Sequence, residues 1–170
     1  FRFTGDIDAI PEGTVVFPQE PLLRVKARLL EAQFIETAVL NLINFQTLIA
    51  SKAARVVEAA GGGTVMEFGL RRAQGPDAGV LGARAAFIGG CQSTSNVLAG
   101  QRFGIPVAGT QAHSWIQSFP SELEAFRAYA RTFPDNCLLL VDTYNVLRSG
   151  VPNAIKVGQE LKAQGKRLKG

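Results

Sequence analysis

From Gly63 onward the sequence alternates, four times over, between a short apolar run of strand composition and a stretch with helical spacing. The runs are Thr64–Gly69, Cys91–Ser95, Ile105–Ala108 and Cys137–Val141, and helices are expected near Asp77–Ile88, Asn96–Phe103, Ser121–Thr132 and Pro152–Gln164. Ser121, with Glu124 three residues on, has the form of a capping box. Strands joined through helices make a parallel sheet with right-handed crossovers, and four such units amount to about half of an eight-stranded α/β barrel. The expected fold class is therefore α/β, with a partial parallel (β/α) barrel over residues 64–170.

The part before Gly63 reads differently. Residues 1–33 are expected to be the β-rich part of an N-terminal domain, with strands at Thr14–Phe17 and at Leu22–Leu30, where Arg24, Lys26 and Arg28 alternate with apolar residues. From Phe34 the period becomes helical: Ile35, Val39, Leu42, Ile43, Ile49, Ala53, Val56 and Val57 recur on that spacing until Gly61-Gly62-Gly63 ends it. Residues 34–63 are thus expected to form one long, mostly buried linking helix.

Each expected barrel strand ends in polar groups: Arg71 and Arg72, then Ser93, Thr94 and Ser95, then Thr110 and His113, then Asp142, Thr143 and Asn145. In a parallel βα array such ends converge on the face where ligands bind. Arg71 and Arg72 enter a turn closed by Gly75–Pro76, and arginine grips phosphate or carboxylate through two parallel hydrogen bonds. A solvated loop of exposed arginines would look the same in isolation; four polar strand ends together suit an anionic, phosphorylated substrate. His113 is the only histidine. A lone histidine is often structural, but after a strand, in a Gly-Thr-x-x-His turn, an imidazole partly neutral at pH 7 can serve as base or nucleophile. No Walker loop, G-x-S-x-G or Ser/His/Asp spacing is present.

Composition narrows the classes. Of 18 basic and 14 acidic residues, five and one fall within residues 156–170, so the net charge of +4 belongs to the C-terminal end. That end carries no interleaved aromatics and fits the solvated last turn of a helix, so no nucleic-acid partner is expected. Phe34–Ala50, the most apolar stretch, is broken by Glu36, Asn41, Asn44 and Gln46, short of an uninterrupted span of roughly 18 apolar residues, so no membrane partner is expected. Cys91 and Cys137 stand far apart and flanked by apolar residues, as buried thiols of a reduced, cytoplasmic protein would. No metal site is read from them.

The runs E-F-G-L-R-R-A-Q-G-P-D, S-T-S-N-V-L-A-G, G-I-P-V-A-G-T-Q-A-H-S-W and L-L-V-D-T-Y-N, with E-G-T-V-V-F-P-Q-E-P-L-L-R-V and E-A-Q-F-I-E-T before them, resemble the nicotinate phosphoribosyltransferase family over essentially the whole chain. The resemblance implies a type II phosphoribosyltransferase-like fold and an enzyme of NAD salvage. Nicotinate and phosphoribosyl pyrophosphate would give nicotinate mononucleotide and pyrophosphate, coupled to hydrolysis of ATP, with Mg²⁺ assisting and a homodimer as the assembly. Carried over position by position, it implies that His113 is phosphorylated transiently by ATP and that Thr110 contacts nicotinate. Phe68 would stack on the pyridine ring and Arg71 would lie near the ribose phosphate, with Arg72 and Ser93 beside them. Ser95 stands where nicotinamide enzymes carry an aspartate, and its neutrality favours a carboxylate substrate. Asp142 matches a strand-end acid that orders the pocket.

The family continues with further barrel strands beyond the position of Gly170 and has an N-terminal segment that is missing here, so the 170-residue chain alone is expected to be inactive and poorly soluble. A quinolinate or nicotinamide phosphoribosyltransferase on a similar fold, or a non-catalytic remnant that binds nucleotide or a partner chain, are the alternatives.

Overall fold

The computed structural model describes residues 1–169. The chain divides into two compact units, the first spanning Phe1–Ala108 and the second beginning at Gly109. The architecture is mixed α/β with two small sheets.

The first unit opens with an antiparallel pair, β1 (Asp6–Ala9) and β2 (Leu23–Lys26). Asp8 lies opposite Arg24 in the register, and the two side chains pair at 2.7 Å across the strands. The expected strand at Leu22–Leu30 is therefore shorter, because Leu29 already belongs to helix α1 (Leu29–Ala59). A contact remote in sequence sets that helix start: the Glu31 carboxylate accepts from the Thr4 backbone N–H and hydroxyl, each at 2.9 Å. Thr14–Phe17 forms no strand either. Its Phe17 N–H donates to the Glu20 carboxylate at 2.8 Å, which removes it from any ladder.

Helix α1 ends where expected, with Gly61 and Gly62 at φ 54° and 93°. The expectation that it is mostly buried does not hold. Ala53 is its one buried residue, while Leu40, Leu42, Leu48 and Val56 are exposed. Helix α2 (Pro76–Ile88) covers a single stripe of α1. Gly89 allows that approach, since a Cβ there would lie 2.5 Å from the Ala50 carbonyl oxygen. By length and composition α1 is the one helix among the described residues that could cross a membrane. Its Gln46 instead accepts from Arg84 of α2 at 3.1 Å. The same guanidinium holds Glu12 at 2.5 Å and lies 5.6 Å from the Phe103 ring, stapling the front segment to α2.

After α1 come β3 (Met66–Glu67), a 3₁₀ turn at Leu70–Arg72, α2, β4 (Ser93–Thr94) and α3 (Val97–Phe103). Strands β3 and β4 pair in parallel, and Thr94 makes a further parallel bridge to Val107. The run Ile105–Ala108, expected as a full strand, contributes that single bridge. Asn96, expected to begin the helix, instead caps it, its side-chain oxygen accepting from the Ala99 N–H at 3.1 Å.

The second unit contains α4 (His113–Gln117), α5 (Glu122–Thr132), a π-helical turn at Val146–Gly150 and α6 (Val151–Ala163). Ser121 caps α5 as its capping box predicts, accepting from the Glu124 N–H at 3.2 Å. Phe126, Ile116, Val157 and Cys137 are fully buried, and Trp115 packs edge-on against Phe119 at 4.8 Å. The run Cys137–Val141, expected as a strand, joins no ladder among the described residues; the Leu140 N–H donates instead to the Gln111 side-chain oxygen at 2.9 Å.

Two predictions follow from this packing. Phe126→Ala removes the largest fully buried side chain and should cost about 3–5 kcal/mol, read by urea denaturation of the full-length protein; a loss under about 1 kcal/mol would contradict the assigned core. The second concerns acid. The Arg84 guanidinium holds the Glu12 carboxyl below the usual glutamate range, and Thr4 and Arg127 do the same for Glu31 and Glu160. Depressed folded values stabilise above the ordinary glutamate pKa of about 4.3, and that contribution is lost as pH falls below it. The melting temperature should hold from pH 7 to 5 and then drop, with Glu12→Gln flattening the drop; a rise on acidification would refute the assignment.

Candidate functional site

In the first unit the strand ends are set by a parallel ladder. Ser95 N–H donates to the Glu67 carbonyl and Thr94 N–H to the Pro106 carbonyl, each at 3.0 Å, and Ala108 N–H to the Thr94 carbonyl at 3.1 Å. Register partners share a face, so Glu67, Thr94 and Val107 point the same way. That way is toward α3, since a Cβ on Gly100 of that helix would collide with the Val107 side chain. Alternation turns Phe68 and Ser95 to the opposite face. Phe68 is exposed and Ser95 half-buried, while Ser93, further back on β4, is buried.

Arg71 and Arg72 sit in the 3₁₀ turn, where the Arg72 N–H donates to the Gly69 carbonyl at 2.9 Å and the Ala73 N–H to the Leu70 carbonyl at 3.3 Å. The turn expected from sequence is thus a tight helical one. It closes through Gly75 at φ 100°, with Pro76 starting α2. Both arginines are exposed, and among the described residues neither makes an ion pair. Adjacent guanidinium groups without carboxylate partners are suited to binding a multiply charged anion.

In the second unit, three of the expected residues lie near one another in sequence or space: Thr110, His113 and Asp142. Thr110 is exposed, with no side-chain hydrogen bond among the described residues. His113 does not lie in an open loop but starts α4, capped by Ala112 in an extended conformation. Its Nε2 lies 3.0 Å from Asp142 Oδ1, and both side chains are half exposed, at 54% and 57%. A carboxylate only accepts, so Nε2 carries the hydrogen in this contact, and in the neutral ring the lone pair lies on Nδ1. The arrangement leaves one ring nitrogen oriented by an acid and the other open to an electrophile.

Two contributors carried no role in the sequence reading. Gln111, two residues before His113, ties that segment to Leu140, two residues before Asp142. Glu67 lies behind the Phe68–Arg72 loop, where its carboxylate is hydrogen-bonded. Their only sequence signal was membership of the runs E-F-G-L-R-R and G-T-Q-A-H; the partners are 29 and 27 residues away. Burial pushes the thiols of Cys91 and Cys137 up, so both stay protonated and unreactive at neutral pH. No group of three His, Cys, Asp or Glu side chains among the described residues could hold a metal ion.

Residues 1–44 match the nicotinate phosphoribosyltransferase (NAPRTase) N-terminal domain, and residues 64–161 match the NAPRTase family. The chain is 56% identical to a nicotinate phosphoribosyltransferase of Bacillus subtilis (strain 168), over 89% of this chain and 31% of that protein. It superposes on the crystal structure of human nicotinic acid phosphoribosyltransferase with a TM-score of 0.89 at 37% identity, covering 98% of this chain and 43% of that one. It superposes on nicotinate-nucleotide pyrophosphorylase from Pyrococcus furiosus with a TM-score of 0.79 at 29% identity, covering 92% and 40%. The chain spans about a third of the length of the curated relatives it matches. With both stretches matched in order, and the strand-end residues lying in the second, the chain belongs to the nicotinate phosphoribosyltransferase family.

Proposed function

We propose that the full-length protein is a nicotinate phosphoribosyltransferase of NAD salvage, forming nicotinate mononucleotide and pyrophosphate from nicotinate and phosphoribosyl pyrophosphate, with ATP hydrolysed through a phosphohistidine at His113. The observation that carries the ATP-coupled part is the 3.0 Å contact between His113 Nε2 and Asp142 Oδ1. It leaves Nδ1 as the nucleophile. The Nδ1 lone pair attacks the γ-phosphorus of ATP, the bond to the bridging oxygen breaks, and ADP leaves. Water later takes the phosphoryl group as inorganic phosphate. Asp142 holds the ring and stabilises its positive charge.

On this reading Phe68 stacks on the pyridine, Thr110 contacts nicotinate, and uncharged Ser95 admits the nicotinate carboxylate. Arg71, with Arg72, takes the ribose phosphate and the charge that grows on the departing pyrophosphate. Ser93, buried on β4, supports the wall behind Ser95. Mg²⁺ belongs to the reading only through the resemblance: among the described residues no three His, Cys, Asp or Glu side chains group to hold an ion, and no step is derived through one.

The barrel belongs here too. The parallel β3–β4–Val107 order, with α2 and α3 as the intervening helices, supports residues 64–170 as about half of a (β/α) barrel. The domain organisation read from sequence, 1–33, 34–63 and 64–170, goes with it, as do a homodimer and a cytoplasmic location. Inactivity of the isolated 170-residue chain also follows, supported by its span of about a third of its relatives and the exposed apolar residues of α1.

Intact mass of the full-length protein after incubation with ATP and Mg²⁺ tests the ATP-coupled step. A labile gain of about 80 Da is expected, absent in His113→Ala and formed on the order of a hundredfold more slowly in Asp142→Asn. No gain in the wild type overturns the phosphohistidine. Turnover of nicotinate against nicotinamide and quinolinate tests the substrate, and preference for either of the others overturns that assignment.

A further inference from the structure

The Phe68–Arg72 loop is anchored from behind by a side chain that the proposed reaction leaves unused. Glu67 sits at the end of β3 with its carboxylate on the helix-facing side of the ladder, opposite to Phe68 and Ser95. Its Oε2 accepts from the Thr94 hydroxyl at 2.6 Å, and its Oε1 accepts from the Gly69 backbone N–H. Thr94 is completely buried, and its Oγ1 in turn accepts from the Asn96 N–H at 3.0 Å. Asn96 then caps α3 through Ala99. Every member of this chain has a fixed donor or acceptor role, because the hydroxyl's single hydrogen goes to the carboxylate.

Gly69 bears on the same contact from the other side. Its φ of −81° suits any residue, so backbone conformation does not demand glycine. A Cβ at position 69 would lie 2.6 Å from Glu67 Oε1, the movable end of that side chain, so a substitution there would displace the carboxylate. The glycine therefore makes room for the carboxylate that receives its own N–H. Gly69 also supplies the carbonyl that closes the 3₁₀ turn bearing Arg71 and Arg72. One carboxylate consequently ties that turn, on one side, to the strand end carrying Ser95 on the other.

We propose that Glu67 is a positioning residue whose carboxylate, through Thr94 and Gly69, fixes the Phe68–Arg72 loop against the Ser95 turn. Its bearing on catalysis rests on the function proposed above. Both oxygens are committed to protein donors and face away from Phe68 and Ser95, so the carboxylate does not meet an anionic substrate as a repelling charge. Glutamine at position 67 keeps one acceptor and turns a donor toward either Gly69 or Thr94. Valine at position 94 keeps the shape and deletes the hydroxyl, whereas serine keeps the hydroxyl.

Glu67→Gln, Thr94→Val, Thr94→Ser and Gly69→Ala are compared in the full-length protein by hydrogen–deuterium exchange over Gly69–Ala73 and by steady-state kinetics. Exchange in that segment should be at least about tenfold faster in Glu67→Gln, Thr94→Val and Gly69→Ala. KM for phosphoribosyl pyrophosphate should rise on the order of tenfold with kcat little changed. Thr94→Ser should match the wild type in both. Should Thr94→Val fail to fold, Glu67→Gln and Gly69→Ala carry the comparison. Wild-type exchange in a folded Glu67→Gln protein overturns the anchoring; faster exchange with unchanged kinetics overturns the positioning role. If the wild type transfers no phosphoribosyl group, it is the proposed function that falls, and exchange alone still decides whether Glu67 holds the loop.

Discussion

The first unit depends on Thr94. Its backbone N–H and carbonyl are bound to the Pro106–Ala108 segment, its side chain is register partner to Glu67, and none of it reaches solvent. A parallel pair of two residues per strand makes few hydrogen bonds, and parallel pairing is the weaker kind per residue. Side-chain bonds at the strand ends therefore fix what a longer ladder would otherwise have fixed. The loops that follow inherit their placement from that residue: Phe68 and Arg71 after one strand, Ser95 and Asn96 after the next.

The second unit solves a similar problem without a ladder. The segment leading to Asp142 has no strand neighbour among the described residues, and the Gln111 amide oxygen takes the Leu140 N–H in place of a backbone carbonyl. Phe126, Ile116 and Val157 form the core beneath, and a π-helical turn carries the chain into α6. Gly150 is needed in that turn because the Val141 backbone passes where its Cβ would be. The acid and the histidine are thus placed by a side-chain amide, a packed core and one close backbone approach.

Much of this was legible in the sequence, and the parts that were not share a cause. Helices with local signals came out close to their expected limits: Ser121 with Glu124 for α5, Pro76 at the start of α2, Gly61 and Gly62 at the end of α1. Strands fared worse, because a strand exists only through its partner. Cys137–Val141 has strand composition but no ladder, and β1 at Asp6–Ala9 has little strand signal but pairs with β2. The early start of α1 followed from Thr4, 27 residues before Glu31. For the candidate site, residue types could be read directly, and so could the strand ends before Phe68 and Ser95, whereas the run before Asp142 forms no strand among the described residues and supports such as Glu67, Thr94 and Gln111 act through contacts that no local pattern encodes.

The commitment of one imidazole nitrogen to Asp142 has a consequence for direction. A histidine with both nitrogens free can pass a proton through its ring, taking it at one edge and giving it up at the other. With Nε2 held at 3.0 Å by a carboxylate, His113 has a single open port. On the function proposed above, a group received at Nδ1 would leave along the same line of approach, so donor and acceptor would take turns on one side of the ring.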